Sequence, residues 1–136
     1  SFLLEEKVKT VYATGGKRMH PFEDFATILM TFGNTCTGLI DTNWHTPHKV
    51  RSLTVVADKG IAEVDYIEQK LILFDKEWEK DAKIERKEPL AIELECFINY
   101  LKKNTAPPVS GEEGLHALEV AISAIDSYMT NKIIKI

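Results

Sequence analysis

The sequence predicts an α+β domain, a mostly antiparallel open sheet with two C-terminal helices packed on one of its faces. Three observations carry that expectation. The first half of the chain alternates apolar and polar residues with a period of two, which is the signature of half-buried strands. The turn signals Gly33-Asn34 and Asp58-Lys59-Gly60 interrupt this alternation and mark two hairpins. Two long stretches after Pro89 and after Ser110 carry apolar residues at helical spacing. Strands followed by helices, rather than strict strand-helix alternation, place the helices on one side of the sheet.

Taken in order, Lys7 to Thr14 reads as a strand that stops at the turn signal Gly15-Gly16. Asp24 to Phe32 and Thr35 to Trp44 form the first hairpin, Val50 to Ala57 and Ile61 to Tyr66 the second. Lys70 to Phe74 adds a strand, and the charged stretch Asp75 to Lys87 around Trp78 and Ile84 reads as a solvated edge strand or loop. Pro89 suits a first helical position, and Leu90, Leu94, Phe97, Ile98 and Leu101 make one stripe ending near Asn104. Ser110 followed by Glu113 is a capping box opening a helix whose Leu115, Leu118, Ile122, Ile125 and Met129 share a face. Lys132 to Ile136 returns to alternation as a short last strand.

The 136 residues make one ordinary domain, and 44% hydrophobic with 28% charged residues is a globular balance. A formal net charge of -4 gives no cationic excess for a phosphate backbone, so nucleic acid is not an expected partner. No apolar run approaches the ~20 residues of a membrane helix, which with the absence of a leader pattern predicts a cytoplasmic protein. Cys36 and Cys96, far apart in sequence, read as two buried reduced thiols. The opening Ser1-Phe2-Leu3-Leu4, without an initiating Met, reads as a piece continuing from a preceding helix.

Alternation assigns Ala26, Ile28, Met30, Phe32, Cys36, Gly38, Ile40 and Trp44, with Leu53, Val55 and Ala57, to the face beneath the helices. The opposite face collects Phe25, Thr27, Leu29, Thr31, Thr35, Thr37, Leu39, Ser52, Thr54 and Val56. That surface is rich in Thr and nearly free of Lys and Glu, so either it is simply β-propensive or a second subunit covers it. The expected contact is homo-oligomeric, through Phe25, Leu29, Leu39 and Val56.

The most distinctive segment is Asn43-Trp44-His45-Thr46-Pro47-His48-Lys49-Val50-Arg51, polar, aromatic and cationic between two β-rich segments. The order Trp44, Pro47, Arg51, then the Asp58-Lys59-Gly60 turn and Glu63-Val64-Asp65-Tyr66, resembles the second domain of the glucose-fructose oxidoreductase, inositol dehydrogenase and MocA family. The Pro89-Leu90 helix and the Pro107-Pro108-Val109-Ser110-Gly111 approach to the last helix extend the resemblance over nearly the whole chain. Tyr66 and Gln69 beside Asp65 resemble the subgroup acting on UDP-linked amino sugars.

The resemblance implies the C-terminal, substrate-lining and oligomerisation domain of an NAD(P)-dependent oxidoreductase acting on a sugar or sugar nucleotide. The nucleotide-binding half is expected upstream, because the glycines at 15, 16, 33, 38, 60, 111 and 114 include no Gly-x-Gly-x-x-Gly. It would hold the NAD or NADP and the proton-transfer residues, while this fragment binds no cofactor and is inactive by itself.

The expected substrate-binding residues are Asn43, Trp44, His45, His48, Lys49 and Arg51. Two readings stand for Trp44, a rim core residue or a stacking surface for a sugar or nicotinamide. Two stand for Arg51, a salt bridge to Asp41, Glu63 or Asp65, or a bidentate contact with a substrate phosphate or carboxylate. His45 and His48 lack the further ligands a metal needs. His116 reads as a partly exposed helix residue, and Ser127 lacks the His and nucleophile turn of a catalytic serine. The competing expectation is a free-standing, non-enzymatic binding or assembly module.

Overall fold

The computed structural model describes residues 3–33 and 36–136, so Ser1, Phe2, the turn residue Asn34 and Thr35 lie outside the described residues. The class is α+β, with antiparallel sheets and two helices that follow the main strands. The strands are β1 (Thr10–Gly16), β2 (Phe25–Phe32), β3 (Cys36–Asn43), β4 (Ser52–Ala57), β5 (Gly60–Asp65), β6 (Lys70–Phe74), β7 (Glu79–Ala82) and β8 (Ile134–Lys135). The helices are α1 (Pro89–Lys103) and α2 (Gly111–Thr130).

The strands form two sheets rather than the single one expected, in the orders β3-β2-β1-β8 and β4-β5-β6-β7. They belong to two compact units, one made of residues 1–45 and 104–136, the other of residues 46–103. Leu53, Val55 and Ala57 therefore do not extend the face of Ile28 and Met30, nor do Ser52, Thr54 and Val56 extend that of Leu29 and Leu39. Period-two alternation reports which way a side chain points and says nothing of which strands share a ladder.

In the first unit, Val11, Ala13, Met30 and Phe32 are buried with Val8 and with Ala124 of α2, flanked by Ile28, Cys36, Val120 and Tyr128. β1 continues through Gly15 and Gly16, paired with Ala26 and Phe25, instead of stopping before them. A Cβ on Gly15 would stand 2.7 Å from the Phe25 carbonyl oxygen, so glycine here permits close strand approach rather than a turn.

α2 opens with the expected capping box, the Ser110 hydroxyl accepting from the Glu113 amide and the Glu113 carboxylate accepting from the Ser110 amide. It closes on Asn131 in the left-handed conformation, whose Oδ1 accepts from the Tyr12 hydroxyl at 2.8 Å. The face it docks differs from the expected apolar stripe. His116, Ala124 and Ser127 are its buried residues, while Leu115, Leu118, Ile122, Ile125 and Met129 are exposed. The reason lies in β1, which β8 covers only at Thr10 and Val11. The Val8 amide donates to His116 Nε2 at 3.0 Å and the Ala13 amide to Ser127 Oγ at 2.9 Å. Ser127 in turn donates to the Lys132 carbonyl at 2.6 Å. A strand edge with open donors selects polar acceptors on the helix, which no hydrophobic pattern records. His116 is thus buried, not partly exposed, and its proton sits on Nδ1, facing Glu119.

The second unit is an antiparallel meander, with the rows Leu53-Val64-Leu71-Ala82 and Val55-Ala62-Leu73 half buried apart from their charged margins. Gly60 turns β4 into β5 with φ 152, and a side chain there would run into the Phe74 carbonyl. β7 is the charged edge strand expected of this stretch. α1 buries no residue, and Leu90, Leu94, Phe97, Ile98 and Leu101 are all exposed, contrary to a helix packed on a sheet. Cys96 on α1 is exposed and Cys36 intermediate, so the two free thiols are not the buried pair expected.

Ser127→Ala removes the acceptor of one buried amide and the donor to a carbonyl, and is expected to cost about 1–3 kcal/mol. Leu118→Ala, on the exposed side of the same helix, should stay within about 0.5 kcal/mol. Chemical denaturation of the two variants checks the contrast.

Candidate functional site

The site-bearing end of the first unit is organised by a residue outside the expected set. Asp24, 1% exposed, sits where the 17–23 loop enters β2. Its carboxylate accepts from the amides of Met19 at 2.6 Å, Arg18 at 3.0 and 3.1 Å, and His20 at 3.3 Å. Its amide donates to the Gly16 carbonyl, and its carbonyl accepts from the Trp44 amide at 2.9 Å. The same carboxylate meets His45 Nε2 at 3.2 Å. One aspartate therefore ties the loop after β1, the start of β2 and the residues after β3.

The Met19 amide is the largest influence holding the Asp24 carboxyl far below its ordinary value of 3.8. Burial opposes this, and the Arg18 amide, the His45 side chain and the His20 amide add to it. Asp24 is accordingly ionised at neutral pH.

Of the six expected residues, Asn43, Trp44 and His45 fall in the first unit and are brought together with Asp24. Asn43 ends β3, and its Oδ1 accepts from the His45 amide at 3.0 Å. Trp44 is 80% exposed, which removes the reading as a rim core residue. The His45 ring tilts at 51° against Phe25, with centroids 6.3 Å apart. His48, Lys49 and Arg51 belong to the second unit, on the exposed approach to β4. Among the described residues no ion pair joins Arg51 to Glu63 or Asp65, and its carbonyl accepts from the Tyr66 amide.

Of the subgroup residues, Tyr66 is 55% exposed. Gln69 is spent on structure, its side-chain amide donating to the Lys87 carbonyl at 2.8 Å and accepting from the Lys87 amide at 3.0 Å. No group of three His, Cys, Asp or Glu poised for a metal ion occurs among the described residues. None of their helices is long and apolar enough to cross a membrane. Asp24 was not legible as a site residue, since an acidic residue ahead of a strand has no distinctive spacing; its position after a polar loop is the only signal.

A family model described as GFO/IDH/MocA C-terminal domain matches residues 1–63. That is the family the sequence resembles, and the match covers β1 to β4 and most of β5. No curated protein matches the sequence. Among solved structures, UDP-N-acetylglucosamine 3-dehydrogenase GnnA from Acidithiobacillus ferrooxidans superposes with TM-score 0.80 at 20% identity, over 90% of this chain and 42% of that one. Aldose-aldose oxidoreductase from Caulobacter crescentus, complexed with glycerol, gives TM-score 0.87 at 17% identity, over 98% and 43%. WlbA dehydrogenase from Bordetella pertussis, in complex with NADH and UDP-GlcNAcA, gives 0.74 at 22%, over 98% and 41%. The fold is thus one found within oxidoreductases, and the chain spans less than half the length of the structures it matches.

Because the folded carboxyl of Asp24 titrates below its unfolded counterpart, its stabilisation is fully present above about pH 4 and is lost as pH falls below that. Asp24→Asn is expected to lower the melting temperature at neutral pH. The gap to wild type should shrink as the solution is taken below about pH 4, as melting curves across this range would show.

Proposed function

We propose that this chain is the C-terminal domain of an NAD(P)-dependent oxidoreductase acting on a sugar or sugar nucleotide. In that reading the segment from Asn43 to Arg51 lines the substrate cleft. The observation that carries it is the exposure of this segment: Trp44, His48, Lys49 and Arg51 are exposed beyond β3, and His45, held at Asp24, keeps 29% of its side chain exposed. The sugar and sugar-nucleotide enzymes whose fold it shares support the substrate class. In the complete enzyme a separate nucleotide-binding half supplies the cofactor. The strand-to-helix passage here, residues 83–88 between β7 and α1, has no glycine and does not fit a dinucleotide pyrophosphate. The cofactor would contribute hydride transfer, and this domain the positioning of the sugar beside it.

Arg51→Ala in the full-length enzyme is expected to lower kcat/KM by about 1–3 kcal/mol in transition-state terms, with little change in melting temperature. Wild-type kinetics in that variant would sink the cleft assignment.

The same reading assigns oligomerisation to the outer face of the first sheet. There Leu39, Leu29 and Tyr12 form one cross-strand row and Thr37, Thr31 and Thr10 the next, with Leu39 and Leu29 exposed. Val56, on the other sheet, is not part of this row. Replacing Leu29 and Leu39 with Lys should turn a dimer into a monomer in sedimentation without altering the far-UV spectrum. A wild-type monomer at high protein concentration would refute the assignment.

A further inference from the structure

We propose that Asp24 is the positioning residue for His45, fixing its ring so that Nδ1 is the one nitrogen offered to a ligand, and that the group taken there is a hydroxyl. The proposal rests on the reading that the Asn43–Arg51 segment contacts substrate, and adds which atom makes the contact.

Asp24 is ionised and can only accept, so the ring nitrogen 3.2 Å from its Oδ1 must carry a proton. With Nε2 committed, a neutral His45 has its lone pair on Nδ1. No hydrogen bond to Nδ1 exists among the described residues, and the side chain is 29% exposed.

The carboxylate cannot swing away from this duty. Three backbone amides hold its oxygens, and its own amide and carbonyl are tied to Gly16 and to Trp44. Phe25 lies beside the ring, tilted at 51° with centroids 6.3 Å apart, and Asn43 Oδ1 accepts from the His45 backbone amide. The amide contacts alone close the 17–23 loop, and the imidazole adds to them one bond through Nε2. The arrangement matches the outer-sphere logic by which a carboxylate fixes the tautomer and orientation of a working histidine.

The ligand class follows from the lone pair. A bare Nδ1 accepts from a donor, so it suits the O–H of a polyhydroxylated ligand and disfavours a phosphate or carboxylate oxygen. Trp44, next in sequence and 80% exposed, offers an apolar surface of the kind a sugar ring stacks on.

The test is nitrogen-15 spectroscopy of the histidine-labelled chain, with the His45 signals assigned by their loss in His45→Gln. The expected result is the Nε2–H tautomer in wild type, and loss of that preference in Asp24→Asn. A wild-type Nδ1–H tautomer overturns the positioning, whether or not the variant folds. In the full-length enzyme, Asp24→Asn and His45→Ala should each raise the sugar KM about tenfold, and the double variant no further, because both remove one contact. Multiplying effects in the double variant overturn the coupling. An Nε2–H tautomer with unchanged KM in both single variants overturns the ligand role, and with it the substrate reading beneath it.

Discussion

The first unit depends on how the open edge of β1 is satisfied. Amides of Val8 and Ala13 lie beyond the reach of the two-residue strand β8, and buried unpaired they would be costly. α2 meets them with His116 and Ser127. The match is metric: eleven helical residues rise about 16 Å, close to the length of the five strand residues between the two donors. Eleven residues also return a helix almost to the same face, so both acceptors point at one strand. Ala124, between them, lets the helix approach closely enough for both bonds to form.

On that sheet the candidate site is held by a single charged group. Asp24 converts a loop that would otherwise bring several open amides to the surface into a cradle with one shared acceptor, and the same oxygens orient His45. Rigid support from a sheet and adaptable contact from loops is the usual division of labour in binding sites. Here the division falls at the end of β3, where the ladder ends and the exposed segment begins.

The sequence carried local information well and long-range information poorly. Hairpins at Gly33 and at Asp58-Lys59-Gly60, the edge character of 75–87 and the Ser110 capping box were readable because turn chemistry, charge and caps act over a few residues. The division into two sheets was not, since Leu53 and Val55 alternate identically whichever ladder they join. The docking face of α2 was misread for a related reason: the acceptors that matter, His116 and Ser127, are polar and answer a strand more than a hundred positions away in the chain. For the candidate site, the segment 43–51 stood out by composition, whereas Asp24 gains its meaning only from the amides that the fold gathers around it. The exposed apolar stripes of α1 and α2 look the same in sequence as buried ones.

The interleaved order of the two units carries a consequence for synthesis. Strands β1 to β3 leave the ribosome early, but the helix that completes their unit lies beyond residue 104, after the whole of the 46–103 unit. At typical elongation rates that delay is roughly 3–12 s, long against the microseconds in which a hairpin forms. For that interval the nascent three-stranded sheet presents the bare β1 edge, with Val11 and Met30 still uncovered by α2, while the meander behind it can close from contiguous residues alone. The polypeptide therefore has a vectorial folding problem, in which the later-made unit is the first that can be finished and the earlier-made one waits as a potential template for intermolecular strand pairing.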